Sequence, residues 1–176
     1  MRAMAGFGGS RPLAPTAGAR PAARRPDREL IAAVGIAGSL IIAGGLVAAV
    51  NSASPFAHGS WLAAYLVLVG GVAQLALVGG PLLFPAPVSS RTLARAQLGL
   101  WNAGTAIVAI GVFTDANAVV SVGSLLVLAA LGCFARGAGP AREPGAGRVI
   151  AYRLVIAVLA VSVAVGIVLS AASPGT

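Results

Sequence analysis

The chain has 176 residues, of which 58% are hydrophobic and only 9% are charged, and its mean hydropathy is +0.94. Soluble domains carry roughly 25% charged residues, so a water-soluble fold of this size could not hide this much apolar surface. The formal net charge is +8, and every basic residue is an arginine. These arginines stand in a tail and in alternate loops, as membrane topology requires, and no binding motif accompanies them. The totals therefore predict an all-α, polytopic transmembrane helix bundle and argue against nucleic-acid binding.

The sequence offers few side chains for chemistry. It contains one cysteine, Cys133, one histidine, His58, and four acidic residues, so no internal disulfide can form. A zinc site of three or four protein ligands would need carboxylates from that small set. No Asp, Glu, Lys or His falls in the interior of a predicted span, which argues against an ion-coupled transporter and an intramembrane protease. We therefore predict no catalytic residues, no metal and no enzymatic activity, and we assign no cofactor.

Residues 1–26 are rich in Ala, Gly, Pro and Arg and lack helical or strand periodicity. This composition predicts a disordered, basic, cytoplasmic tail. Its arginines act as a topology signal, and each one near an anionic membrane surface contributes about 1 kcal/mol of binding free energy.

A transmembrane domain is predicted over residues 27–172, with five apolar stretches close to the length of about 20 residues that a spanning helix needs. These predicted spans cover about 30–50, 60–84, 93–113, 118–135 and 149–172. All the arginines then fall on one side, which predicts a cytoplasmic N-terminus and an external C-terminus. The basic side chains predicted to contact lipid headgroups are Arg24, Arg25, Arg28, Arg91, Arg95, Arg136 and Arg153.

Polar residues precede several of these spans and predict N-caps, because a short side-chain oxygen there can accept from an unpaired backbone N–H. Asp27 is expected to cap the first helix, Ser89 or Ser90 the third, and Asp115 the fourth.

Two amides lie inside predicted spans and form the most distinctive polar feature of the sequence. Gln74 lies in the second span and Asn102 in the third, each roughly 13–15 Å from the cytoplasmic side at 1.5 Å rise per residue. An unpaired amide in hydrocarbon is costly, so a hydrogen bond between the two is predicted. The pair would then hold helices together; the alternative is contact with a buried ligand such as a quinone or a haem edge. Gln97 is expected to be solvated or bonded to headgroups.

His58 lies in an external loop just before the second span. The simple interpretation is a surface residue. The alternative is a metal or haem ligand at the outer face, although a single histidine excludes a haem with two histidine ligands from one chain.

The run HGSWLAAYLVLVGGVAQLALVGG, followed by WNAGTAIVAIGVF, is similar to uncharacterised small multi-pass membrane proteins of high-GC bacteria. His58, the Gly70-Gly71 pair and Gln74 also resemble features of helices in haem-copper oxidase-like proteins. The other histidines that such proteins use for haem and copper are absent, so the resemblance assigns no functional residue here.

The sequence as a whole predicts a multi-pass protein of the bacterial inner membrane. Its expected role is that of a non-catalytic structural or accessory subunit that packs against a membrane-protein partner or against itself. A small-molecule transporter or channel lined by Gln74 and Asn102 is one alternative, and a haem- or quinone-binding redox component using His58 is another.

Overall fold

A computed structural model of the protein describes residues 28–83, 90–138 and 146–172. It contains five long helices: α1 (Arg28–Ala53), α2 (residues 59–83), α3 (Arg91–Phe113), α4 (Asn117–Gly137) and α5 (Ala146–Ala172). Each of the five is long and apolar enough to cross a membrane. The prediction of an all-α fold with five membrane-length helices is therefore confirmed.

The helix bounds differ somewhat from those of the predicted spans. The largest differences are at the end of α1, which is residue 53 where 50 was predicted, and at the start of α5, which is residue 146 where 149 was predicted. The proposed tail at residues 1–26, with Arg24 and Arg25, lies outside the described residues, as does the Asp27 cap.

Helix α2 changes its winding along its length. An α-helical segment at Gly59–Tyr65 is followed by a π-helical segment at Leu66–Ala73, by α-helix at Gln74–Gly79 and by a 3₁₀ turn at Gly80–Leu83. Each π-helical hydrogen bond spans one residue more than an α-helical bond, so residues after the segment are rotated relative to a regular helix.

The capping predictions had different outcomes. Ser90 caps α3, since its Oγ accepts from the Leu93 backbone N–H at 3.2 Å. The prediction for Asp115 was wrong: Ala116 occupies the N-cap position of α4 and provides no side-chain cap. The turn between α3 and α4 closes with a hydrogen bond from the Ala116 N–H to the Gly111 carbonyl at 2.9 Å. Asp115 adopts a positive φ of 49° within this turn, a conformation that Asp tolerates better than most residues.

Neighbouring helices run antiparallel and approach most closely at glycines. A Cβ added to Gly44 of α1 would lie 2.9 Å from the Ala63 carbonyl oxygen of α2. A Cβ added to Gly123 of α4 would lie 2.6 Å from the Val108 backbone nitrogen of α3. Backbone atoms cannot move aside cheaply, so these glycines set the spacing of the α1–α2 and α3–α4 hairpins.

The main cluster of buried apolar side chains comes from α2 to α5. Its larger members are Leu77, Trp101, Leu131, Phe134, Tyr152 and Ile156. One end of the bundle, where α1, α3 and α5 begin, is called the arginine end below. The described arginines lie at or near it: Arg28, Arg91, Arg95, Arg136, Arg148 and Arg153. The other end, with the connections at 54–58 and 114–116, is called the turn end.

Candidate functional site

Polar side chains on α2 connect this helix to the helices that precede and follow it in the sequence. The Gln74 Nε2 donates to the Ala33 carbonyl of α1 at 2.9 Å, and the Tyr65 hydroxyl donates to the Thr105 carbonyl of α3 at 3.1 Å. A carbonyl oxygen has two lone pairs, so it can accept a side-chain donor in addition to its helical N–H. These contacts bind helix to helix without interrupting either backbone ladder.

Two further contacts of the same kind join the remaining helices. The Gln97 Nε2 of α3 donates to the Cys133 carbonyl of α4 at 2.9 Å. The Tyr152 hydroxyl of α5 donates to the Leu77 carbonyl of α2 at 2.8 Å. The expectation that Gln97 would be solvated or bonded to headgroups was wrong, because α4 packs closely enough to present a carbonyl to it.

Gln74 and Asn102 are not joined by the predicted hydrogen bond. The Asn102 Nδ2 donates to the Leu98 carbonyl of its own helix at 2.9 Å, and its side chain is half-buried. The short Asn side chain reaches the carbonyl four residues earlier, which is a common local contact. Gln74 instead donates to Ala33, because close contact between α1 and α2 brings that carbonyl within reach.

Two buried side-chain polar atoms in the described part of the chain have no hydrogen-bond partner, the Gln74 Oε1 and the Trp101 Nε1. Both side chains are 1% exposed. One atom is an acceptor and the other is a donor. Trp101 is a residue that sequence reasoning missed; the signal was a tryptophan well inside a predicted span, away from the interface where such residues are enriched.

His58 lies at the turn end, directly before α2. It is exposed, has a positive φ of 62°, and packs edge-on against Phe113, with the ring centroids 6.1 Å apart. Nearby, Trp61 stacks on Tyr65 at 4.7 Å between centroids. Within residues 28–83, 90–138 and 146–172, no group of three or more His, Cys, Asp and Glu side chains could hold a metal ion. A role for His58 as a haem or metal ligand stays a prediction.

The arginine end carries the described residues predicted to contact headgroups. Arg95 is 71% exposed and pairs with Glu29 of α1 through its Nε, at 3.3 Å from the carboxylate. Arg28, Arg136 and Arg153 are also exposed. The ion pair was not anticipated from sequence, because its two residues are 66 positions apart. Headgroup contacts of these arginines stay predictions.

The fold and these contacts define the described chain as a bundle of five membrane-length apolar helices joined by side-chain to backbone hydrogen bonds. Comparison of the chain with protein-family models, with curated proteins and with solved structures gives no match.

Proposed function

We propose that this protein is an integral membrane protein with a non-catalytic, structural or accessory role, acting as a rigid helical subunit beside a membrane-protein partner. The observation that carries the proposal is the use made of the polar side chains. Gln74, Tyr65, Gln97 and Tyr152 each donate to the backbone of a neighbouring helix. Groups committed in this way stabilise the packing of the bundle.

The surface of the bundle supports the same role. Large apolar side chains of α5 lie exposed along most of its length, namely Ile150, Leu154, Val158, Val161, Val165 and Val168. Among the α5 side chains whose burial is described, up to residue 168, the buried ones in the core are Val149, Tyr152 and Ile156, all in the first half of the helix. An exposed apolar surface of this length can contact lipid on some faces of the helix and a partner helix on another face.

The proposed setting is a bacterial inner membrane, with the N-terminus in the cytoplasm and the C-terminus outside. The arginines at one end of the bundle support this orientation through the positive-inside rule. The arginine-only, Ala- and Gly-rich composition supports a high-GC bacterial source.

The test is a purification of the tagged protein from its native membranes in mild detergent, followed by mass spectrometry. We expect a membrane protein to co-purify in a fixed ratio. A photo-crosslinking residue at Val161 of α5 should capture that partner more strongly than one at Ser54 of the turn end, which is exposed outside the apolar belt. A protein that purifies alone as a monomer would contradict the accessory role. Solute flux through liposomes that contain only this chain would instead favour the transporter alternative.

A further inference from the structure

We propose that Gln74 and Trp101 together bind a hydroxyl group inside the helix bundle. The Trp101 indole N–H donates to the hydroxyl oxygen, and the hydroxyl hydrogen is donated to the Gln74 Oε1. The two atoms are the buried side-chain polar atoms left without a partner in the described residues, and each side chain is 1% exposed. The accessory role does not depend on these two atoms, because it rests on the donor groups that bond to neighbouring helices, including the Gln74 Nε2.

The two side chains lie at similar depth. The Glu29–Arg95 ion pair places residue 29 of α1 close to the level of residue 95 of α3. From there, Ala33, which receives the Gln74 amide, is about 6 Å further along α1, and Trp101 is about 9 Å further along α3, at 1.5 Å per residue. Helical side chains lean toward the N-terminus, which brings the indole back toward the level of Ala33.

The two side chains also face the same region of the bundle. Trp101 and Thr105 are four residues apart and therefore share a face of α3. The Thr105 carbonyl accepts the Tyr65 hydroxyl of α2, so this face of α3 is turned toward α2. Gln74 is a fully buried residue of α2, and its Nε2 is already held by α1. Its Oε1 is the free end of an amide that is otherwise fixed in place.

The chemistry of the two atoms selects the ligand class. An indole N–H is a donor only, and a carboxamide oxygen is an acceptor only. A ligand that satisfies both must accept one hydrogen bond and donate another. A carbonyl group accepts but cannot donate, and an ammonium group donates but cannot accept. A neutral hydroxyl group does both. Its source is either a water molecule held in the core or a membrane-dissolved alcohol or phenol.

The test uses the full chain, labelled with ¹⁵N and ¹³C, in detergent micelles. A Trp61→Phe background leaves Trp101 as the single indole, because the chain has 2 tryptophans. A nuclear Overhauser cross-peak from the indole proton to water identifies bound water as the source. Titration with phenol, and with toluene as the matched compound without a hydroxyl, tests the second source. A saturable shift of the indole signal with phenol and none with toluene identifies a membrane-dissolved hydroxyl.

Variants locate the effect at the two residues. Gln74→Leu should abolish the water cross-peak or weaken the phenol response at least tenfold, whereas Asn102→Leu should change neither, since that amide bonds within its own helix. If Gln74→Leu does not fold, Trp101→Phe serves instead, because it removes the donor and keeps an aromatic ring. In that variant the side-chain NH₂ signals of Gln74 should no longer respond to phenol.

Two results would overturn the proposal. One is the absence of both the water cross-peak and the phenol shift in the Trp61→Phe protein. The other is a scalar coupling across a hydrogen bond that joins the Trp101 indole nitrogen directly to the Gln74 side-chain carbonyl carbon, because the two groups would then satisfy each other.

Discussion

Gln74 and Asn102 show how two similar residues in neighbouring helices can have separate roles. Each amide donates to a backbone carbonyl, one on α1 and the other on its own helix. Gln74→Leu removes an interhelical bond worth about 0.6–2 kcal/mol, but it also removes a buried acceptor whose lack of a partner costs about 1–3 kcal/mol. In the ligand-free protein we therefore expect a small net change in the free energy of unfolding.

A double-mutant cycle tests this separation. With no hydrogen bond between them, Gln74→Leu and Asn102→Leu should have additive effects, with a coupling within about 0.5 kcal/mol of zero. The measurement is reversible unfolding in mixed micelles. The mutual bond expected from sequence would give a coupling of about 0.6–2 kcal/mol instead, and a value in the upper part of that range would contradict the contacts described above. Tyr152→Phe provides a reference, because it removes one interhelical bond and little volume.

At the residue scale, sequence reasoning identified Gln74 because an amide in an apolar span is conspicuous. It did not identify the partner, since a backbone carbonyl is available at every residue and leaves no mark in the sequence. The Tyr65 hydroxyl likewise donates to a backbone carbonyl, that of Thr105, and no sequence pattern indicated this contact. Which carbonyl receives a donor depends on the distance and rotation between helices, and these are fixed only by tertiary packing.

Among the elements, the α3–α4 hairpin depends most clearly on small residues. Gly123→Ala would place a methyl group 2.6 Å from the Val108 nitrogen, so the two helices must separate. We expect the variant to lose about 1–3 kcal/mol of folding free energy, as in other overpacked cores. Gly99→Ala on α3 is the matched control, because nothing lies within 4 Å of its added methyl group. It should be neutral or stabilising by up to about 1 kcal/mol, since Ala favours helix over Gly. Unfolding of both variants in mixed micelles measures the difference, and equal losses would contradict the close approach.

The π-helical segment of α2 marks the limit of prediction at this scale. The lengths of all five helices followed from apolar runs and their polar boundaries. The π-helical winding of Leu66–Ala73 could not be predicted in this way, because the segment is apolar on every side and has no periodic pattern of polar residues. Tyr65 and Gln74 are nine residues apart and would point to opposite sides of a regular α-helix, at about 100° per residue. A π-helix turns through a smaller angle per residue than an α-helix, so the segment changes the angle between these two side chains. It therefore determines which neighbouring helices the two side chains reach.

For the whole molecule, the arrangement of charge predicts how the bundle sits in the membrane. The described arginines lie at or near one end, and the connections at 54–58 and 114–116, which contain none, lie at the other. Arginine near a span end holds that end in the cytoplasm, so the turn end should face outward. The turn end also carries the Trp61–Tyr65 stack, and aromatic rings of this kind favour the membrane interface.

Cysteine labelling of whole cells tests this orientation. In a Cys133→Ala background, which removes the single native thiol, Ser54→Cys and Asp115→Cys place exposed thiols in the two turns, and Arg148→Cys places one at the opposite end. A membrane-impermeant maleimide should label the first two variants in intact cells and the third only after the cells are opened. The reverse labelling pattern would show that the bundle has the opposite orientation in the membrane. Labelling of only one of the two turns would contradict the five-span topology, because in that topology α2 and α3 both cross the membrane and return the second turn to the side of the first.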